Sequence, residues 1–226
     1  RFTVEAYSYL LTKTNFLNAI KNSLLVATVV SLLSIAVAYP TAYTLARTKF
    51  RGRRVLSKAV LFTYMLPTSV LYIPLYILVA RLGLTNTLWG LVLIYPTFTL
   101  PYVAWILIPH VQSIPVALEE AAMMDGCSHF MIMYRIIFPL ALPGIISTTI
   151  FAFAMCWGEY LYALVNLTSA TVQTFPLVIS SLIYGDMPPW NQLMAGAIMA
   201  CIPIIIIYML ASSSLVGGAT AGGVKQ

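Results

Sequence analysis

Six acidic side chains serve a chain of 226 residues, so each can be asked what chemistry it could do. Glu159 stands alone in an apolar stretch, flanked by Trp157, Gly158, Tyr160 and Tyr162. A charge at the centre of a bilayer costs on the order of 2.5–3.5 kcal/mol, so Glu159 should face a bundle interior or a wet cavity. Aromatic faces beside it could meet sugar C–H groups, and their polar edges could meet hydroxyls. The rival reading places Glu159 near an interface, stabilising a subunit contact. Tyr64, Met65, Tyr95 and Tyr102 are weaker pathway candidates, because aromatic residues also form interfacial belts. His110 and His129 lie 19 positions apart, with no Cys or carboxylate at metal-ligand spacing, so they read as surface histidines and no metal site is expected. Cys127, Cys156 and Cys201 form no C-x-x-C pair and read as small packing residues. No nucleophile signature and no G-x-x-x-x-G-K-[ST] occurs. No catalytic residue is therefore assigned, and ATP is not expected to bind this chain in the usual way.

The elements holding these residues must be apolar helices. Hydrophobic residues make up 61% of the chain and charged ones 8%, against about 25% charged in ordinary soluble domains. Mean hydropathy is +0.92. Such a composition excludes a soluble enzyme, a secreted disulfide module and a disordered tail. A span needs roughly 20 mostly apolar residues, and five windows qualify, near 19–45, 59–80, 88–108, 140–165 and 193–215. The alternating pattern of a membrane barrel is absent. The expected fold class is an all-α polytopic membrane helix bundle. Arg47, Lys49, Arg51, Arg53, Arg54 and Lys58 cluster in one short loop, which marks that side as cytoplasmic. Eight basic residues then fall inside and four outside. The resulting organisation is an external segment at 1–18, a transmembrane domain at 19–215 and a cytoplasmic C-terminal tail at 216–226. Prolines at 40, 67, 74, 96, 101, 143 and 203 predict kinks whose freed carbonyls need partners.

Residues 109–139, PHVQSIPVALEEAAMMDGCSHFMIMYRIIFP, form a long inside loop with a pattern of its own. Ser113 can cap a helix and Pro115 suits its first turn. Gly126 sits where a left-handed terminating residue is wanted. A short surface helix is expected over Pro115–Asp125, carrying Glu119, Glu120 and the closely approachable pair Ala121 and Ala122. Ser128 can cap a second helix to about Phe138, with Pro139 beginning the return to the membrane. Such a shape suits docking in a partner's groove.

The string Glu120-Ala121-Ala122, three residues, Gly126, nine residues, Ile136, one residue, Phe138-Pro139 resembles the E-A-A-x3-G-x9-I-x-L-P loop of ABC-importer permeases, with Phe138 in place of Leu. Further similarities run along most of the chain: Asn22-Ser23-Leu24, Ala42-Tyr43 with Ala46-Arg47 and Phe50-Arg51-Gly52, Met65-Leu66-Pro67, and the turn Leu82–Thr87. The tail Gly218–Lys225 is similar to the ending of the second membrane subunit of maltose-type carbohydrate importers, although Ser212-Ser213-Ser214 replaces the family's usual polar stretch before it.

The resemblance implies a type I ABC-importer permease fold with six spans, the first lying outside this sequence, in a prokaryotic inner membrane. It implies that Glu119, Glu120, Ala121, Ala122, Asp125, Gly126, Ile136 and Pro139 couple the chain to an ATPase. It places Gly218, Thr220, Gly222 and Lys225 near the ATPase dimer interface. Trp157, Gly158, Glu159, Tyr160 and Tyr64 become candidates for the substrate path, with Gly158 where the family has Asn. The implied partners are a second permease subunit, two ATP-binding subunits that hold ATP and Mg, and an extracytoplasmic solute-binding protein. Cargo is expected to be an oligosaccharide or related sugar. A phosphate-bearing cargo such as glycerol phosphate would favour cationic cavity residues, and the spans carry none beyond their ends. The remaining alternative is a structural subunit without substrate contacts.

Overall fold

The computed structural model describes residues 4–65, 67–183 and 189–222, with side chains up to residue 211. A lipid-facing backbone must satisfy its own hydrogen bonds, and the regular elements among the described residues are all helical. They are α1 (Glu5–Lys13), α2 (Phe16–Arg47), α3 (Arg53–Met65), α4 (Tyr72–Arg81), α5 (Leu88–Ile94), α6 (Pro96–Ser113), α7 (Ala117–Met124), α8 (His129–Met131), α9 (Phe138–Trp157), α10 (Leu161–Asn166), α11 (Phe175–Ser181) and α12 (Trp190–Gly222). A π-helical stretch, Ile132–Ile137, joins α8 to α9.

Three helices are long and apolar enough to cross a bilayer alone: Phe16–Arg47, His129–Trp157 and Trp190–Ala211. The second and third windows are not single helices. The second divides into α3, a 3-10 turn at Thr68–Leu71 and α4. The third divides at Tyr95 into α5 and α6, with Pro96 opening α6. Each pair would count as one span by length and composition, giving up to five. Proline stands at both divisions: it has no N–H to continue the ladder and suits a helix start, although Tyr95 before Pro96 keeps helical backbone (φ −60°, ψ −30°). By contrast, α2, α9 and α12 run unbroken through Pro40, Pro143 and Pro203. The helix α12 continues to Gly222.

The chain divides into two compact units. One gathers Ser31–Leu66, Thr97–Ala152 and Met209–Gln226. Its core packs Tyr39, Ala42, Leu45, Val103, Leu107, Ile132, Ile137 and Ala141, joining the second half of α2 to α6 and the α8–α9 helix. Small residues let backbones approach within it, as packing between apolar helices requires. Gly144 shows this most sharply, since a Cβ there would lie 2.7 Å from Cγ of His110. Ser34 and Thr99 share a buried hydrogen bond of 2.7 Å. Arg53 closes the end of α2 by donating to the carbonyls of Leu45 (2.6 Å) and Ala46 (2.9 Å).

The other unit gathers Arg1–Val30, Pro67–Pro96 and Phe153–Tyr208. Asn18 and Asn22 at the start of α2 donate to the carbonyl of Thr171, and Asn22 also reaches that of Gln173. Ser23 accepts from the backbone N–H of Phe175 at 2.9 Å. The Asn-Ser pair therefore ties α2 to the stretch before α11. Asn86 holds the same region. Its φ of +57° is one that Asn tolerates better than most residues. Its Oδ1 accepts from the backbone N–H groups of Thr168 and Ser169 at 2.9 and 2.8 Å.

Candidate functional site

The segment 109–139 is built around α7. The helix begins after Val116, which makes no side-chain cap bond. Ser113 does not cap it as expected; Ser113 closes the last turn of α6 instead, donating to the carbonyl of His110 at 2.8 Å. The other end is as expected. Gly126 has φ +82°, its N–H bonds the carbonyl of Met123 at 3.0 Å, and the N–H of Cys127 bonds that of Ala122 at 3.0 Å. These two bonds form a Schellman close, in which a residue in the left-handed conformation satisfies the last carbonyls of a helix. Ser128 then accepts from the N–H of Met131 at 3.3 Å, capping α8 as its position predicts.

The π-helical stretch follows at once and contains Ile136. The carbonyl of Met133 takes the i→i+5 bond from the N–H of Phe138 and also accepts from the hydroxyl of Tyr39 at 2.6 Å. Ile137 is fully buried while Ile136 is half-buried. Pro139 lies exposed in the first turn of α9.

The helix α7 has two faces. Glu120, Ala121, Asp125 and Gly126 are exposed, and Met124 is 89% exposed. Val116, Leu118, Met123 and Phe130 are also exposed. All but Phe130 lie outside the helices long enough to span, and exposed apolar surface there is the kind of patch that marks an interaction site. Ala122 and Glu119 turn the other way and are buried. The two alanines therefore do not share one surface, and Glu119 does not stand on the exposed face with Glu120, because the helical turn carries them to different sides.

The carboxylate of Glu119 is held by two side chains of α2. Its Oε1 lies 2.5 Å from Nε of Arg47, and its Oε2 accepts from the Tyr43 hydroxyl at 2.9 Å. Arg47 also donates to the carbonyl of Ile114 at 2.6 Å. Sequence reading used Arg47 for charge topology and named Tyr43 and Arg47 among the family similarities, but gave neither a site role. The available signal was their spacing, since positions 43 and 47 fall one turn apart on one face of a helix.

The second candidate group belongs to the other unit. The helix α9 ends at Trp157, so Glu159 lies in a short link to α10 rather than inside a continuous span. Its carboxylate accepts from the Tyr95 hydroxyl at 2.9 Å and from the backbone N–H groups of Tyr162 at 2.9 Å and Ala163 at 3.2 Å. A carboxylate at the first turn of a helix meets its free N–H groups and its positive end. Trp157 is buried, donates to the carbonyl of Ala200 at 3.1 Å and packs between Phe153 and Phe175. Gly158 is exposed and Tyr160 half-buried. Tyr64 belongs to the first unit, its ring centroid 5.6 Å from that of Tyr102. Tyr64 thus falls in one unit, and Trp157, Gly158, Glu159 and Tyr160 in the other. Gly218, Thr220 and Gly222 lie on α12, and Lys225 lies outside the described residues. Among the described residues no group of three His, Cys, Asp or Glu side chains could hold a metal ion.

Comparison with known proteins returns one family across most of the chain. The family described as "Binding-protein-dependent transport system inner membrane component" matches residues 32–217. The diacetylchitobiose uptake system permease protein DasC of Streptomyces coelicolor is 35% identical over 213 residues, covering 93% of this chain and 76% of that protein. The trehalose/maltose transport system permease protein MalG of Thermococcus litoralis is 33% identical over 208 residues, covering 91% and 74%. Among solved structures, a bacterial ABC transporter involved in the import of the acidic polysaccharide alginate superposes with a TM-score of 0.75. It is 23% identical and covers 92% of this chain and 78% of that one, a likeness of fold.

Proposed function

Because this chain belongs to the binding-protein-dependent transport system inner membrane components, and so is a membrane permease subunit of an ATP-driven importer, we propose that it carries a neutral oligosaccharide and takes its drive through α7. The observation that carries the coupling reading is the exposed face of α7 and its glycine close. Glu120, Ala121 and Met124 stand out, and Gly126 turns the chain at once into α8. A short, rigidly ended helix with an exposed apolar side fits a groove on an ATP-binding subunit. The sugar reading is supported by relatives whose names specify diacetylchitobiose and trehalose or maltose, and by spans whose cations lie towards their ends rather than at mid-length, where they could neutralise an anionic cargo.

In this reading two ATP-binding subunits hold ATP and Mg, and this chain has no catalytic site of its own. Closure of the ATPases displaces α7, the spans rearrange, and the cavity opens to a solute-binding protein outside the membrane. Nucleotide and cargo bias one two-state equilibrium. A second, homologous permease subunit completes the path. The segment 109–139 and the C-terminal tail face the cytoplasm, and Gly218, Thr220, Gly222 and Lys225 approach the ATPases.

The test is ATP-dependent uptake by the complex in proteoliposomes with its binding protein. Disaccharides and longer oligosaccharides are expected to be taken up and to stimulate hydrolysis, while glycerol phosphate does neither. Uptake restricted to glycerol phosphate would overturn the sugar assignment. Normal uptake after Met124→Glu, with ATPase docking unchanged, would overturn the coupling assignment.

A further inference from the structure

Nothing in the motif of α7 explains why Glu119 is buried. A buried carboxylate is costly unless it is paired and hydrogen-bonded, and here it is both. Arg47 Nε lies 2.5 Å from one oxygen, and the Tyr43 hydroxyl donates to the other at 2.9 Å. The same guanidinium donates at 2.6 Å to Ile114, just before α7 begins. Side chains from the last turns of α2 thus hold both the body of α7 and the chain leading into it.

Ala122 of α7 packs in the core that holds Tyr43 and Ala46 of α2, and Glu119 adds a polar contact to that same helix. A cavity of about 760 Å3 opens beside it, lined by Thr44, Arg47, Val116, Glu119, Met123 and Met133 among others. Beside such an opening apolar contacts are sensitive to displacement, since a gap of about an ångström forfeits up to roughly half of their attraction. The ion pair falls off only as the inverse of distance, so it holds α7 to α2 through small displacements that would break apolar contact.

We propose that the Arg47–Glu119 ion pair, seated by Tyr43, is a positioning link that carries displacement of α7 into the long helix α2. This rests on the coupling reading of α7. Arg47 and Glu119 touch neither nucleotide nor cargo; they act through the helices they join. The pair makes α7 and the end of α2 move together, so that a push on the exposed face of α7 reaches a spanning helix.

The test separates a link from a merely structural pair. Removing one partner strands a buried charge, whereas replacing both with apolar residues of similar size is often neutral for stability. The double variant Arg47→Met with Glu119→Leu should therefore assemble with its partner subunits in reconstituted complex. It should keep hydrolysing ATP while moving roughly tenfold less solute per ATP, a size ordinary for coupling between sites. Glu119→Gln, which keeps polar atoms for Arg47 and Tyr43, should retain more of the coupling than the double variant. A wild-type ratio of solute to ATP in the assembled double variant would sink the proposal, and so would complete failure to assemble, which would assign the pair to folding. Met124→Glu serves as the companion measurement. If it weakens ATPase docking while the double variant stays coupled, only the link fails; if docking is untouched by Met124→Glu, the coupling reading fails with it.

Discussion

Gly126 and Glu159 show how a single backbone angle or a few hydrogen bonds decide a residue's part. At Gly126 no heavy atom lies within 4 Å of where a Cβ would be, yet φ is +82°. The cost of a side chain there is conformational, about 1–2 kcal/mol for Ala and more for a β-branched residue. Gly126→Val is expected to leave the permease in the membrane but to uncouple hydrolysis from uptake or weaken ATPase docking, as measured by binding-protein-stimulated ATPase activity in liposomes. Glu159 points to a different role from the one its place in an apolar stretch suggests. Three donors of its own fold occupy the carboxylate, and hydrogen bonds to charged groups contribute about 1.5–3 kcal/mol each. Glu159→Ala should lower the denaturation temperature of the detergent-solubilised protein with little change in cargo affinity. A lost affinity at unchanged thermal stability would instead favour a pathway role.

Among the elements, the helices divide at Pro67 and Pro96 and run on through Pro40, Pro143 and Pro203. Contact between α6 and α9 is set by a glycine. Gly144→Ala would bring a methyl group 2.7 Å from His110, and overpacking of this kind costs typically 1–3 kcal/mol. The double variant with His110→Ala should recover most of that loss in a thermal or denaturant titration, because the two sites share one contact. The segment 109–139 was legible in sequence through its own capping residues. Ser128 and Gly126 are local signals, read by nearby N–H and C=O groups, and both perform as their positions predict. Ser113 misled because Pro109 does not end α6, which runs on to Ser113. The helix that actually starts, α7, has no side-chain cap to announce it.

At the scale of the whole molecule, sidedness is the property most open to test. With the native cysteines replaced, Thr171→Cys is expected to react with a membrane-impermeant thiol reagent in intact cells, and Met124→Cys only after the membrane is opened. The opposite pattern would invert the topology argued from the basic loop. Composition alone determined membrane residence, because a surface with so few charges cannot face water. The string from Glu120 to Pro139 carried the family, and local capping carried the outline of α7 and α8. Only the tertiary structure decided which way each side chain turns. It buried Glu119 against Tyr43 and Arg47, turned Ala122 rather than Ala121 into the core, and brought the Tyr95 hydroxyl to Glu159. Those outcomes depend on residues distant in sequence arriving at one place. Glu119 lies 76 residues from Tyr43, and Glu159 lies 64 from Tyr95. Periodicity tells where an apolar helix can form, but the partner of a buried charge is chosen by packing.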